Sequence, residues 1–169
     1  MNYLPQFFPS YWTNDSEVFG IPFTDEISIG FVIREIGGYS YLLKDDFNLL
    51  SIDTNTLLTS AINNLDKEFE NCDIKEYKLN GGSVVFWNSE NDNFTAVRIL
   101  STKYSSILKK IFPVDFYFSI PDRDLITCWY STDDEENEKF TTETIEDFND
   151  SEYRLSDKKY LYSKVRLTE

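Results

Sequence analysis

Apolar and polar residues alternate along Val114–Ile120, in the stretch VDFYFSI, and this period of two predicts a strand with one buried face. Because Pro121 has no N–H to donate to a neighbouring strand, we expect the strand to end there. Three charged residues, Asp122–Asp124, then separate it from a second apolar run, Leu125–Tyr130. Sheet proteins commonly present functional groups at strand ends, so this is the first place to look for a site.

The same period of two predicts strands elsewhere, and two of the connections between them contain paired glycines typical of hairpin turns. The predicted strands are Ile27–Ile36 and Tyr39–Leu43, linked at Gly37–Gly38, then Glu76–Leu79 and Ser83–Trp87, linked at Asn80–Gly82, then Phe94–Leu100 and finally Lys159–Leu167. The third, fourth and fifth of these are expected to form an antiparallel meander.

Two stretches have the helical period instead. In the first, apolar residues follow the spacing i, i+3, i+4, i+7 and i+11, and Asp53 or Thr54 is the predicted N-cap. This stripe consists of Leu58, Ala61, Ile62, Leu65 and Phe69. Asn64 lies beside it, and we expect its side chain to face solvent or to cap a neighbouring turn. A second helix is predicted over Ser101–Phe112, with Pro113 ending it.

Helices that interrupt runs of hairpin-linked strands predict an α+β fold, with two or three helices packed on a largely antiparallel sheet. Residues 1–25 are aromatic and broken by three prolines, so no helix is expected there. We interpret them as an extended N-terminal arm that packs its rings on the domain, or alternatively as an exposed aromatic patch that binds a partner. Residues 26–169 are expected to form a single domain.

The chain has a net charge of −14, which changes the functional picture. Contacts with phosphate need clustered Lys and Arg, so a nucleic-acid binder and a protein docked on an anionic membrane are both disfavoured. A basic protein partner fits this charge, because long-range attraction would speed their association. The alternative is that the charge only keeps the protein soluble.

His is absent and only two cysteines occur, Cys72 and Cys128. Zinc sites usually draw on Cys and His, so no metal and no cofactor is indicated. The commonest general base and every Ser-His-Asp triad are missing as well. We interpret the cysteines as reduced, buried thiols of a cytoplasmic protein. The N-terminal sequence lacks the features of a signal peptide, and no apolar run is long enough for a membrane span.

The segment 131–152 is strongly acidic, with ten carboxylates against one base, Lys139, between Asp133 and Glu152. It is predicted to be a loop or the start of a solvated helix, with Ile145 and Phe148 as its anchors. We predict that it contacts the partner together with the strand-end acids and two neighbouring aromatic residues. The predicted partner-binding residues are Asp122, Asp124, Trp129, Tyr130, Asp133, Asp134, Glu135, Glu136 and Glu138.

Asp122 and Asp124 allow another interpretation, as paired carboxylates in acid–base catalysis. A structural role competes with it. Asp122 can cap the turn that follows, and Arg123 can form an ion pair with Asp124 or with the acidic segment. No catalytic residue is assigned from the sequence.

Three short segments follow one another along the chain: L-x-x-A-x-x-N-L over Leu58–Leu65, IPDRDL over Ile120–Leu125, and Y-x-L-S over Tyr153–Ser156. Their order resembles the YtpQ-type family of uncharacterised bacterial proteins, over roughly the span Ile27–Leu167. The resemblance implies a cytosolic bacterial α+β domain. It implies no activity, because none is established for that family. The aromatic arm and the segment Asp133–Glu152 do not match the family.

Three functional hypotheses therefore stand. The first is a non-catalytic acidic binding protein, such as an immunity-type inhibitor of a basic toxin or nuclease. The second is an enzyme that uses Asp122 and Asp124. The third is an adaptor that self-associates through its aromatic N-terminal arm. The sequence favours a protein without catalytic activity and does not determine the oligomeric state.

Overall fold

A computed structural model of the chain describes residues 2–68, 73–88, 93–112 and 114–163. Within these ranges nine strands lie in two antiparallel sheets, which confirms the α+β class. The elements in chain order are β1 (Leu4–Pro9), α1 (Ser10–Asp15), β2 (Gly20–Pro22), β3 (Ile27–Glu35), β4 (Gly38–Tyr41), α2 (Lys44–Leu49), α3 (Thr54–Glu68), β5 (Asp73–Leu79), β6 (Gly82–Asn88), a 3-10 helix (Ala96–Leu100), α4 (Thr102–Ile111), β7 (Tyr117–Asp122), β8 (Leu125–Tyr130), α5 (Asp134–Asp150) and β9 (Lys159–Leu161).

The strands divide between two sheets where the sequence predicts one, and these ranges contain five α-helices where it predicts two or three. The additional helices α1 and α2 have six residues each, too few to show an apolar stripe. Both predicted hairpin turns are confirmed. Gly37 and Gly81 adopt the positive φ angles of +87° and +84° that their turns require.

Strand β3 is the centre of the first sheet. It pairs with β1 on one side and with β2 and β4 on the other. The aromatic N-terminal segment thus contributes strands to this sheet, and Phe7 on β1 is only 1% exposed. Its ring stacks on Phe23, with centroids 4.7 Å apart. The expectation of no helix in this segment is wrong, because Pro9 stands at the N-cap of α1, where its fixed φ is tolerated.

Helix α3 confirms the first predicted helix. Asp53 caps it, since its Oδ1 accepts from the backbone N–H of Thr56 at 2.8 Å. Leu58, Ala61 and Leu65 are buried as predicted, and Phe69 lies outside the described residues. The side chain of Asn64 is half-buried. It donates to the carbonyl oxygen of Tyr3 at 3.0 Å and so ties α3 to the chain just before β1.

The segment Phe94–Leu100 is not a strand, and the predicted meander is therefore wrong. Every residue in it is buried, and its last five form the 3-10 helix. A segment with no solvent-facing side cannot be assigned to strand or helix from its alternation, which is the physical reason for the error. The second predicted helix is confirmed as α4, whose N-cap Ser101 accepts from the backbone N–H of Tyr104 at 3.5 Å.

The second sheet has the strand order β5-β6-β8-β7-β9. Strand β7 begins at Tyr117, later than predicted, and Val114 is 49% exposed. It also continues through Pro121, against the expectation that the strand stops there. A register shift between Ser119 and Asp122 marks a bulge, and proline is tolerated at a bulge. The final strand is shorter than predicted, and residues 164–169 lie outside the described ranges.

The two sheets enclose the main core. One face of the second sheet, with Phe118 and Ile120, packs in one cluster with Ile29 and Phe31 of the first sheet. The predicted burial of Cys128 in this cluster is confirmed, and burial raises the pKa of its thiol. Cys72 lies outside the described residues. In the part of the chain that the structure describes, no helix has the length and apolarity needed to cross a bilayer.

The opposite face of the second sheet carries α5. The contact consists of a small separate cluster of Val84, Trp129 and Phe140, and the rings of the last two lie 5.4 Å apart. Thr144, one helical turn further along α5, is also buried. The predicted anchors Ile145 and Phe148 are wrong in part, because Ile145 is 43% exposed and Phe148 is only half-buried.

We predict that Phe140→Ala loosens α5 and lowers the free energy of unfolding by about 3–5 kcal/mol, as expected when a buried phenylalanine ring is removed. Ile145→Ala is the control on the same helix, and its expected effect is below about 0.5 kcal/mol. Urea denaturation followed by circular dichroism measures both. An equal loss in the two variants would show that α5 lies on the sheet by a different face.

Candidate partner-binding surface

The acidic segment forms the 17-residue helix α5 because its own charges favour the start of a helix. Asp133 is the N-cap, and its Oδ1 accepts from the backbone N–H of Glu135 at 2.9 Å. Asp134, Glu135 and Glu136 fill the first turn, where negative charge is stabilised by the helix dipole. The predicted solvated helix is thus confirmed and extends to Asp150.

Most acids of α5 face solvent. Lys139 is the only base within the helix, and it pairs with Glu143 one turn later at 3.7 Å. The exposed acids of the helix are Asp134, Glu135, Glu138, Glu146, Asp147 and Asp150. This set, which we call the α5 acidic face, carries no ion pair to any other described residue, whereas the half-buried Glu143 pairs with Lys139.

The last turns of α5 are electrostatically unfavourable. No basic residue lies in the last turn, where the helix dipole disfavours negative charge. Partial burial, together with the charges of Glu143, Asp150 and Glu146, raises the pKa of Asp147. Arg154 places a positive charge near the end of the helix, because its guanidinium donates to the carbonyl oxygen of Asn149 at 2.5 Å. The neighbouring carboxylates still repel one another.

The structure corrects two of the predicted partner-binding residues. Trp129 is fully buried, so it offers no surface to a partner. Tyr130 is half-buried and packs against the main core. Both follow from the position of β8 inside the second sheet, where alternate side chains enter the two apolar layers.

Two of the predicted acids have internal partners. Asp133 is the N-cap of α5. The carboxylate of Glu136 accepts from the backbone N–H of Asn80 at 3.2 Å and from the hydroxyl of Ser131 at 2.6 Å. It therefore joins the helix start to the β5–β6 turn. Asp134, Glu135 and Glu138 remain on the exposed surface.

Asp122–Asp124 form the turn of the β7–β8 hairpin. The carboxylate of Asp122 accepts from the backbone N–H of Asp124 at 2.7 Å and from that of Tyr153 at 3.1 Å. The predicted capping role of Asp122 is thus observed, in a β-turn and not in a helical turn. Arg123 and Asp124 lie 3.7 Å apart as an ion pair, also as predicted.

Arg123 connects this turn to three other segments. Its guanidinium stacks over the ring of Tyr153 at 3.4 Å and donates to Asn93 Oδ1 at 2.7 Å. Its carbonyl oxygen accepts from the backbone N–H of Ala96 at 3.0 Å. The polar groups of this turn are largely used to hold the chain together, which favours a structural role over acid–base chemistry.

The structure does not bring the predicted residues to one place. Asp122 is bonded to Tyr153, just beyond the end of α5, whereas Asp133–Glu138 lie at its start. A helix of 17 residues is about 25 Å long, so the two groups lie near opposite ends of it. The α5 acidic face begins with the second group and extends along the helix towards Asp122.

The acids of this face that the predicted site residues leave out are Glu146, Asp147 and Asp150, although the whole acidic segment was predicted to contact the partner. Each lies inside the predicted acidic segment but beyond the predicted site. The sequence offers one signal for them, because Phe140 and Phe148 are eight residues apart, a spacing that brings both near one side of a helix continuing past Glu138.

A second polar cluster was also missed. The buried hydroxyl of Ser156 donates to Glu26 at 2.6 Å and bonds to the hydroxyl of Tyr160 at 2.7 Å. Lys158 pairs with Glu26 at 2.5 Å and with Asp25 at 2.8 Å, and these carboxylates raise its pKa. A lysine held in its charged form cannot act as a base toward Ser156. We therefore interpret the cluster as structural, since its bonds join the last segment to the β2–β3 connection.

In the described ranges, no three Cys, Asp or Glu side chains are grouped so that they could hold a metal ion. No family model, curated protein or solved structure matches the chain. The resemblance to the YtpQ-type family therefore stays a prediction, and the proposals below depend on the chain's own geometry.

We predict that Asp122→Ala lowers the free energy of unfolding by about 1–3 kcal/mol, because the partly buried backbone N–H of Asp124 and the exposed N–H of Tyr153 both lose their acceptor. Asp122→Asn keeps one acceptor oxygen and should lose less. Asp115→Ala is the control, since Asp115 is exposed. Thermal unfolding measures all three. A melting temperature unchanged by Asp122→Ala would contradict the structural role.

We predict that Asp147→Asn raises the melting temperature at pH 7. Its raised pKa means that the folded state binds the proton more tightly than the unfolded state, so ionisation of Asp147 costs stability. That cost develops as the pH rises from the ordinary value of 3.8 through the raised value, and it is absent below. The stabilisation by Asp147→Asn should therefore disappear in acid.

Asp134→Asn is the matched control, because it removes the same charge from the favourable end of the same helix. We expect it to lower the melting temperature slightly at pH 7. Shifts of the same sign in the two variants would show that the position along α5 does not matter.

Proposed function

We propose that this chain is a non-catalytic binding protein whose α5 acidic face contacts a basic protein partner. The observation that carries the proposal is the set Glu146, Asp147 and Asp150 in the second half of α5, for which the described residues supply no ion pair. Acids near a helix C-terminus interact unfavourably with the helix dipole and repel one another, so they do not stabilise the fold. A cationic partner would reduce both the unfavourable dipole interaction and the repulsion.

The shape of this surface supports the proposal. Glu138, Glu146 and Asp150 are exposed and spaced by multiples of four, so they lie along one stripe of the helix. Charges arranged on one rigid element lose less entropy on binding than charges on a flexible loop. Such a stripe can steer a basic protein during encounter and align it along about 18 Å of helix.

The finer proposal is an immunity-type inhibitor of a basic toxin or nuclease. An enzyme that acts on nucleic acid presents cations to phosphate, and the α5 acidic face offers carboxylates in place of that substrate. Tight inhibition also needs apolar contact, and Ile145 is an exposed apolar residue on the same helix.

The other two hypotheses receive less support. Both carboxylate oxygens of Asp122 accept backbone hydrogen bonds, which leaves little for acid–base chemistry. On the N-terminal segment, Phe7 lies in the core and the ring of Phe8 packs against Trp12 at 4.6 Å. These rings are used in the fold, which weakens the case for an aromatic self-association patch.

We predict that the wild-type chain retains a basic protein from the source lysate at low salt and releases it at high salt, because exposed charge pairs are screened. The variant Glu138→Gln/Glu146→Gln/Asp150→Asn should bind that purified protein at least tenfold more weakly. Biolayer interferometry measures the dissociation constants.

The control is a second triple variant, Asp15→Asn/Asp45→Asn/Asp46→Asn, which removes three exposed acids from α1 and α2. It loses the same charge but should bind as the wild type does. Equal weakening in the two variants would show that only net charge matters. The inhibitor proposal has its own readout, in which the partner is toxic when expressed alone and harmless with the wild-type chain.

A further inference from the structure

Among the described residues, strand β5 has a neighbour on one side only. It is the terminal strand of that sheet, and no described residue forms a ladder with its outer side. Lys75, Glu76, Tyr77 and Lys78 are all exposed, so neither face of the strand is covered there. An edge of this kind is a template for pairing with another strand.

The turn next to β5 determines which backbone N–H and C=O groups of the strand point away from β6. Leu79 and Gly82 are partners across the two-residue turn, and such a pair exchanges its backbone hydrogen bonds. Because the pattern alternates, Tyr77 and Lys75 also direct their N–H and C=O groups to β6. The N–H and C=O groups of Glu76 and Lys78 therefore point to the open edge.

We propose that the occupant of this edge is β5 of a second copy of this chain, paired antiparallel about a two-fold axis at Tyr77. Two identical antiparallel strands in one sheet can pair symmetrically only if some residue faces its own copy. Tyr77 would then face Tyr77, and Glu76 would face Lys78 of the second copy. The inference is independent of the proposed function, since it uses a different surface.

The charges favour this register over its neighbours. An axis at Lys75, Glu76 or Lys78 would place two like charges directly opposite each other, which is destabilising. The axis at Tyr77 instead creates two symmetric pairs between Glu76 and Lys78. These two residues also supply the outward-pointing N–H and C=O groups, so the charge pairs coincide with the backbone-bonded positions.

The side chains are already arranged for this contact. Glu76 forms an ion pair with Lys78 of its own strand and accepts from the hydroxyl of Ser83 at 2.9 Å. These partners lower the pKa of Glu76 and keep it charged. In the dimer each Glu76 would lie between two lysines, and the four residues would form a square of alternating charge.

Tyr77 supplies the apolar part of the contact. Its side chain is 53% exposed, and its ring packs edge-on against Phe86 with centroids 6.0 Å apart. At a position without backbone hydrogen bonds, opposite side chains are closest, so the two Tyr77 rings would cover each other. A strand of seven residues buries less than a standard interface, so we expect a dimer in the micromolar range or weaker.

Disulfide trapping tests the register. Tyr77→Cys, in a Cys72→Ser background, places two thiols across the axis with Cα atoms about 4.5 Å apart, within the range of a disulfide. Mild oxidation should give a covalent dimer. Lys75→Cys is the control, because its two copies would lie about 13 Å apart along the strands. Equal trapping of both variants, or none of Tyr77→Cys, would overturn the proposed pairing.

Sedimentation equilibrium tests the energetics without a new cysteine. We expect the wild type to dimerise with rising concentration, and Lys78→Glu to weaken the dimer at least tenfold. The double variant Glu76→Lys/Lys78→Glu exchanges the charges and should restore it. Lys109→Glu, the same change at an exposed site on α4, should have no such effect. A wild type that stays monomeric at high concentration, or a double variant that does not recover, would overturn the proposal.

Discussion

The position of the acidic helix depends on one apolar contact, between Phe140 of α5 and Trp129 of the second sheet. Eight carboxylates along α5 favour solvent, and only Phe140 and Thr144 are buried on its inner side. The hydrophobic effect of one aromatic cluster therefore holds a strongly charged helix against the sheet. A hydrogen bond from the backbone N–H of Asn80, in the β5–β6 turn, to the carboxylate of Glu136 fixes the start of the helix.

Polar clusters hold the segments that the core does not reach. Asp122 and Arg123 join the β7–β8 turn to the chain after α5 and to the 3-10 helix. Ser156 and Lys158 join the last segment to the β2–β3 connection. Both clusters use residues that could serve chemistry elsewhere. Here most of their polar atoms bond within the fold, whereas the acids of the α5 acidic face are exposed.

Two surfaces with different character follow from this arrangement. The α5 acidic face presents one sign of charge, which attracts a basic molecule and repels a second copy of this chain. The β5 edge presents both signs with unpaired backbone groups, which suits a strand of the same sequence. Both surfaces belong to the second sheet and its covering helix, so the first sheet serves mainly to cover the other face of the core.

Features with a local cause could be predicted from the order of the amino acids. Helix α3 with its Asp53 cap and the two glycine hairpins follow from side-chain period, a capping oxygen and the positive φ angles that glycine permits. Tertiary structure decided what local patterns leave open. The alternation in Phe94–Leu100 carried no information because both sides are buried, and Trp129 entered the core because β8 lies inside a sheet. Some acids accept hydrogen bonds from residues distant in sequence, as Glu136 does from Asn80 and Asp122 from Tyr153. Residue types alone do not show which distant residues meet in the fold.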